Sequence, residues 1–119
     1  MTVEAAIFAV VGPLVGGRLY PDPAPAGTQR PYGTFEQIGG QSNAFLEGGA
    51  APSRKHARFQ FNLWHDSRKE AIALAYAVDD AMRNATTFQA EPIGEMEWQR
   101  DEAQKLLGTR QDFSVWSAR

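Results

Sequence analysis

The sequence predicts an α+β fold: a four-stranded, mainly antiparallel sheet with two helices packed on one of its faces. Four segments alternate apolar and polar residues as half-buried strands do. They come as two adjacent pairs, one on each side of a long amphipathic helix, which favours hairpins. An apolar segment before the first pair predicts a further helix. The order is therefore helix, strand, strand, helix, strand, strand.

Length and composition fit one domain. The chain has 119 residues, 43% of them apolar, a formal net charge of -2 and no cysteine. We expect a single domain over residues 1–119. The charge balance gives no clustered basic surface of the kind that nucleic-acid binding needs. Without cysteine there are no disulfides or thiolate metal sites. The apolar start is too short for a membrane span and has no basic flank, so we expect neither a signal peptide nor a membrane anchor.

The first helix is expected to begin after Thr2, whose hydroxyl suits an N-cap, and to end or kink at Gly12-Pro13. Residues 20–27 contain three alternating prolines, which predict an extended connector. The first strand follows over residues 32–38. The stretch 39–53 is rich in glycine and is predicted to be a long flexible loop. Within it, Phe45 and Leu46 either form a docking point or fold back on the core.

Residues 58–64 give the clearest strand, with Phe59, Phe61 and Leu63 alternating with polar neighbours. Ser67 and Glu70 then form a capping box, in which each side chain can bond the backbone N–H of the other residue. The main helix is expected to run from there to about residue 84. The last strands are predicted at 93–99 and 110–117, joined by a polar connection with a helical turn at 103–107.

Catalytic and metal-binding patterns are weak. His56 and His65 stand nine residues apart on a presumed strand, so their side chains would point to opposite faces. Ser67 is better explained as a helix cap than as a nucleophile. The glycine pairs lack the strand-to-helix context of a phosphate-binding loop. We therefore expect no enzyme activity, no cofactor and no metal site.

The predicted open face of the sheet, the one away from the helices, is more informative. If Phe59 and Phe113 face the core, then Trp64 and Trp116 lie on this face, among the polar residues Gln60, Asn62 and Ser114. Large aromatic side chains on a polar face are typical of interfaces. The open face is therefore interpreted as a binding surface. The alternative is that the chain termini or the long loop cover it.

Four segments also resemble a known family. The run LVGGRLYP at residues 14–21 resembles the opening of tail completion proteins, or tail terminators, from long-tailed bacteriophages. Three matches follow in order: PYGTF at 31–35, FQFNLW at 59–64 before an alanine-rich helix, and DFSVW at 112–116. Together they span nearly the whole chain. Residues 103–108 depart from the pattern, because many relatives have a shorter turn there.

The resemblance implies a structural virion protein without catalytic residues, assembled in the host cytoplasm and located at the head-proximal end of the tail. Such proteins form a ring, commonly a hexamer, on the tail tube. The ring stops tube growth, offers a docking surface to the head connector and leaves a channel through which DNA passes. An acidic channel lining would keep DNA from sticking, and the candidates for it are Glu91, Glu95, Glu97, Asp101 and Glu102.

Two alternatives stay open. The first is a head–tail joining or neck protein with a related fold. The second is a small ligand-binding or enzymatic α+β domain, which would need a pocket with convergent polar groups.

Overall fold

The computed structural model describes residues 2–21, 23–40 and 54–118. Within these ranges lie two α-helices, a 3₁₀ helix and five strands, and none of the helices is long and apolar enough to cross a membrane. The elements in chain order are α1 Val3–Val11, the 3₁₀ helix Gly12–Val15, β1 Leu19–Tyr20, β2 Tyr32–Gln37, β3 Arg54–His65, α2 Arg68–Arg83, β4 Gln89–Asp101 and β5 Leu106–Ala118.

The strands form one five-stranded sheet in the order β1-β2-β3-β5-β4. Both expected strand pairs, β2–β3 and β4–β5, are antiparallel, and β3–β5 joins them. The α+β class with two helices is confirmed, but the prediction of four antiparallel strands is wrong in one detail. β1 adds a fifth strand, parallel to β2. Two residues are too few to show any alternation, and β1 directly precedes the proline-rich connector, so the pattern hid it.

One face of the sheet packs on both helices. From the strands come Phe59, Phe61, Leu63, Phe113 and Val115, each no more than 3% exposed. The rings of Phe61 and Phe113 meet edge to face with their centroids 5.5 Å apart. Burial of one such side chain stabilises the fold by about 1.5–3 kcal/mol. The helices contribute Val3, Ala6, Ile7 and Val11 from α1 and Leu74, Ala75, Val78 and Met82 from α2.

Side-chain caps start both helices. The Thr2 hydroxyl accepts a hydrogen bond from the Ala5 N–H at 3.1 Å, and the Ser67 hydroxyl accepts one from the Glu70 N–H at 3.2 Å. The Ser67 hydroxyl in turn donates to the Glu70 carboxylate at 3.2 Å. The predicted capping box is therefore present in a modified form, because that carboxylate bonds the hydroxyl of Ser67. α1 ends where Pro13 follows, as predicted.

The three long strands exceed their predicted lengths. β3, β4 and β5 contain 12 or 13 residues, roughly 40 Å at about 3.3 Å per residue. α2 has 16 residues and covers only about 24 Å. These strands are therefore longer than the helix that packs on them. The helical turn predicted at 103–107 is wrong: residues 102–105 form a hairpin turn, and β5 begins at Leu106.

β4 lies at one edge of the sheet and is interrupted. Its register with β5 shifts between Ile93 and Glu97, and Gly94 takes a positive φ of 79° there. The buried Gln111 side chain donates to the Gly94 carbonyl at 3.2 Å, which holds this bulge against β5. Pro92 lies in the same stretch, and an edge strand tolerates proline. Bulges and prolines are common protections of an edge strand.

Candidate interaction surface

The strand register defines the open face of the sheet, opposite the helices. Trp64 and Trp116 both lie on it, eight residue steps apart along the β3–β5 pair. That is about 26 Å at 3.3 Å per residue, so the two indoles mark opposite ends of the face. Between and around them lie Tyr32, Thr34, Glu36, His56, Arg58, Gln60, Asn62, Gln89, Glu91, Ile93, Glu97, Gln99, Gly108, Arg110, Asp112 and Ser114.

At one end, Trp64 lies between Tyr32 of β2 and Gly108 of β5. A Cβ atom on Gly108 would come within 2.7 Å of Trp64 Cε3 and 2.2 Å of the Leu63 carbonyl oxygen. Only glycine allows the indole to lie this close to β5. Burial raises the pKa of Tyr32, and the nearby Asp101 carboxylate raises it further, while Arg30 opposes both.

An open groove of about 680 Å³ runs beside Trp64. Its floor includes Tyr32 and Trp64, and residues 23–28 of the proline-rich connector form one wall. Arg30 ties this wall to its surroundings. Its guanidinium donates to the Lys105 carbonyl at 3.3 Å and pairs with the Asp66 carboxylate at 3.1 Å. The connector is thus fastened to the β4–β5 turn and to the corner between β3 and α2.

At the other end, Trp116 packs against His56, with ring centroids 4.7 Å apart. His56 Nε2 and the Ser114 hydroxyl share a hydrogen bond of 2.7 Å. The Arg54 guanidinium donates to the Gln89 side chain at 3.0 Å. Both tryptophans are half-buried, because neighbours on the same face cover part of each indole.

A hydrogen-bonded serine–histidine pair is also a starting point for nucleophilic catalysis. Ser114 lies in a central strand, paired on one side with β3 and on the other with β4. Backbone N–H groups of these ladders are engaged within the sheet, so they do not converge on a position beside the hydroxyl. An oxyanion site needs such converging donors. The His56–Ser114 pair is therefore best explained as part of the face's own hydrogen bonding.

The middle of the open face is a lattice of paired polar groups. The Arg58 guanidinium donates to Asp112 through Nη2 at 2.6 Å and Nε at 3.0 Å, and Gln60 donates to the other carboxylate oxygen at 3.3 Å. Arg110 and Glu97 form an exposed ion pair at 2.5 Å. The Gln99 amide reaches across β5 to the Asn62 side chain at 3.1 Å. These contacts give the face a fixed pattern of charge.

The acidic candidates lie along β4. Glu91 and Glu97 point to the open face, and Glu95 lies in the bulge; all three are exposed. The hydrogen bond that the Arg110 guanidinium donates to the Glu97 carboxylate raises the pKa of Arg110 above its usual value. Phe45 and Leu46, the other interface candidates, lie outside the described residues, as does most of the predicted loop at 39–53.

Sequence reasoning missed a second surface, on the exposed side of the helices. Phe8, Leu14 and Tyr76 expose 43%, 37% and 56% of their surfaces. The apolar run of α1 shows no clear face, so the pattern did not reveal that Phe8 points outward. Tyr76 is a single aromatic residue of α2 outside the buried positions of that helix, and no sequence pattern singled it out.

His65 lies on the helix side of β3, opposite to His56, as expected. Its ring meets the carboxylates of Asp66 and Glu70, and one ligand atom from each lies within 4.8 Å of the others. These groups already bond one another and the start of α2. His65 Nδ1 accepts from the Asp66 N–H at 2.8 Å, and Glu70 binds the Ser67 hydroxyl. Capping of α2 accounts for the cluster.

The described residues thus form a small two-layer α+β domain whose distinctive features are its surfaces, and the fold alone does not fix a function. The family model described as tail completion protein gp17 matches residues 4–117. The chain belongs to this family of structural phage tail proteins, as the sequence segments indicated.

A solved structure shares the fold. A chain of the virion of a native gene transfer agent particle superposes with a TM-score of 0.60 at 20% sequence identity, over 98% of this chain and 95% of that one. No curated protein sequence matches the chain.

Proposed function

We propose that the protein is a tail terminator: it forms a ring, commonly a hexamer in proteins of this kind, that caps the head-proximal end of the tail tube. The ring stops tube polymerisation and provides the docking surface for the head connector. The observation that carries this proposal is the family match over residues 4–117. The likeness to a chain of a gene transfer agent virion supports assembly into a virion particle.

The open face is the proposed contact with neighbouring subunits or with the tube. Its tryptophans expose part of their apolar surface beside polar groups that are held in place by hydrogen bonds. The apolar surface can be buried by a partner, and the polar groups can orient that partner. Gln60, Asn62 and Ser114 belong to the polar part. Phe45 and Leu46 are proposed to add to the interface on sequence grounds alone.

Glu91, Glu95 and Glu97 are the proposed lining of the DNA channel. Their exposure along one edge strand supports this assignment. Carboxylates repel the phosphate backbone, so DNA passes without specific binding. Replacing all three with lysine should leave tails of normal length but slow DNA release, measured as delayed dye uptake or genome ejection. Glutamine at the same positions is the matched control and should have a smaller effect.

The proposal is tested by deleting the gene from the phage or prophage that carries it. Loss of a terminator should give tail tubes of uncontrolled length in electron micrographs, and the wild-type gene supplied in trans should restore uniform tails. Tails of normal length that lack heads would instead indicate a head–tail joining protein.

A further inference from the structure

Three of the described carboxylates are half-buried, those of Asp79, Asp101 and Asp112. Two of them have an arginine partner, since Arg83 pairs with Asp79 and Arg58 donates to Asp112. None of the cationic side chains that the structure describes pairs with Asp101. Its carboxylate oxygens accept hydrogen bonds from the backbone N–H and from the side-chain amide of Gln104, both at 3.2 Å. A carboxylate has about four lone-pair sites, so Asp101 retains acceptor capacity.

Asp101 lines the groove that runs beside Trp64. It pairs with Leu106 at the end of the β4–β5 ladder, two residues beyond the row that holds Gly108 and Trp64. Because residues two apart on a strand point to the same face, Asp101 lies on the open face together with Trp64 and Tyr32. The groove thus combines a carboxylate with two aromatic side chains.

The other charged residue that lines the groove, Arg30, does not cancel the charge of Asp101. Its guanidinium is held by the Asp66 carboxylate at 3.1 Å and by the Lys105 carbonyl at 3.3 Å. Burial raises the pKa of Tyr32 most, and Asp101 raises this pKa by more than Arg30 lowers it. At the Tyr32 hydroxyl the carboxylate therefore outweighs the guanidinium, so the groove favours a positive charge there.

We propose that this groove receives an arginine side chain of another virion protein. A guanidinium can stack on an aromatic ring and donate paired hydrogen bonds to a carboxylate. The chain makes both kinds of contact within its own fold: Arg68 lies 4.9 Å from the centre of the Trp98 ring, and Arg58 donates twice to Asp112. The groove offers a carboxylate and aromatic rings together, in about 680 Å³ of space. The inference rests on the proposed function in taking the partner from the same particle.

Binding of a single side chain tests the site directly. NMR spectra of the isotope-labelled protein are recorded during titration with N-acetylarginine methylamide and, separately, with N-acetylcitrulline methylamide, which has the same shape without the charge. The arginine probe should shift the signals of Tyr32, Trp64 and Asp101 and bind about fivefold more tightly than the citrulline probe. Asp101→Asn should remove this preference. Glu102→Gln, which changes an exposed carboxylate outside the groove, is the matched control and should retain it. Equal affinities of the two probes, or no shift of the groove signals, would overturn the proposal.

Charge reversal in the particle identifies the partner. A phage that lacks the gene is supplied with Asp101→Lys or, as the matched control, with Glu102→Lys. Asp101→Lys places like charges together and should lower the yield of infectious particles at least about tenfold, whereas Glu102→Lys should retain the yield. Second-site changes that restore particles to Asp101→Lys should replace an arginine by aspartate or glutamate in the gene of another virion protein.

Equal losses from both reversals would indicate a general need for acidic groups, as in a channel lining, and would overturn the proposal. Restoring changes confined to this gene would do the same, because they would place a second copy in the groove. Circular dichroism checks that Asp101→Lys is folded, and the titration of the wild-type protein decides if it is not. The result is separable from the terminator assignment. Overlong tails after gene deletion, together with no preference for the arginine probe, would reject only this site. Tails of normal length together with arginine-specific binding would reject only the terminator role.

Discussion

The two sides of this domain differ in how their exposed groups are bound. On the open face, arginines, carboxylates and amides bond one another, and both tryptophans are half-buried among these neighbours. On the exposed side of the helices, Phe8 and Tyr76 project into solvent, and Glu4 is the only charged residue of α1. The side chains of the open face are therefore held in position by one another. The exposed side of the helices offers apolar area that the domain's own fold does not use.

This difference separates stability from association. Substitutions on the open face should disturb the fold, since its side chains contact one another across strands. Substitutions of Phe8 and Tyr76, which project from the helices, should change the stability less, because exposed apolar side chains contribute little to it. Any defect from the second group therefore reports on binding.

The largest expected effect is at Gly108. In Gly108→Ala the new methyl group would collide with the Leu63 carbonyl and with the Trp64 ring, at 2.2 and 2.7 Å. Backbone cannot move aside cheaply, so we expect a loss of about 3 kcal/mol in the free energy of unfolding. Gly33→Ala is the matched control, because its closest contact is the flexible end of the Leu63 side chain at 2.9 Å. Urea denaturation compares them, and equal losses would contradict the argument.

Trp116→Ala should have the next largest effect, a loss of about 2 kcal/mol in the free energy of unfolding. A fully buried tryptophan costs about 3–5 kcal/mol when cut to alanine, and this half-buried one loses the contact with His56 and part of its buried area. Thermal unfolding measures the change. Trp116→Phe keeps most of the apolar contact, so its loss of stability should be no more than half of that in Trp116→Ala. A Trp116→Ala protein as stable as wild type would mean that the indole serves binding alone.

Several features of the fold could be predicted because they leave a local signal. The alternation of Phe59, Phe61 and Leu63 identified the core face of β3, and through it the open face with Trp64. The capping pair Ser67 and Glu70 located the start of α2. These signals concern neighbours in sequence, where period and spacing are physical constraints.

Other features have no local signal. β1 depends on the parallel partner Gly33, which is distant in sequence. The pairing of Arg58 with Asp112 arises only when β3 and β5 lie side by side. The bulge at Gly94 is held by Gln111 of another strand. Exposure of Phe8 is set by which side of α1 meets the core, and an apolar helix has several sides that fit.

The ion pair of Arg58 with Asp112 should contribute less to the free energy of unfolding than the Gly108 and Trp116 substitutions remove. Asp112 is well covered, but the Arg58 side chain is 46% exposed, and solvent screening reduces the attraction. A double-mutant cycle with Arg58→Ala and Asp112→Ala should give a coupling energy of about 0.5–1 kcal/mol. The pair Arg100–Glu102, with both side chains mostly exposed, is the comparison and should give close to zero. Added salt should reduce the coupling energy of Arg58 with Asp112. Equal coupling energies for the two pairs would contradict the view that the open face is more ordered than the rest of the exposed surface.

The smallest effect on stability is expected at Tyr76, and it is the most informative. Tyr76→Ser removes a ring that is 56% exposed. The free energy of unfolding should therefore change by no more than about 0.5 kcal/mol, and the melting temperature should shift only slightly. If the exposed Tyr76 ring takes part in assembly, the same variant should lose assembly, seen as a lower mass by light scattering or as failure to restore uniform tails. Lys105→Ser, at another exposed position on the hairpin turn, should retain both stability and assembly. A stable Tyr76→Ser protein that assembles normally would show that the exposed side of the helices is solvent-facing surface, and it would leave the open face as the sole interface candidate among the described residues.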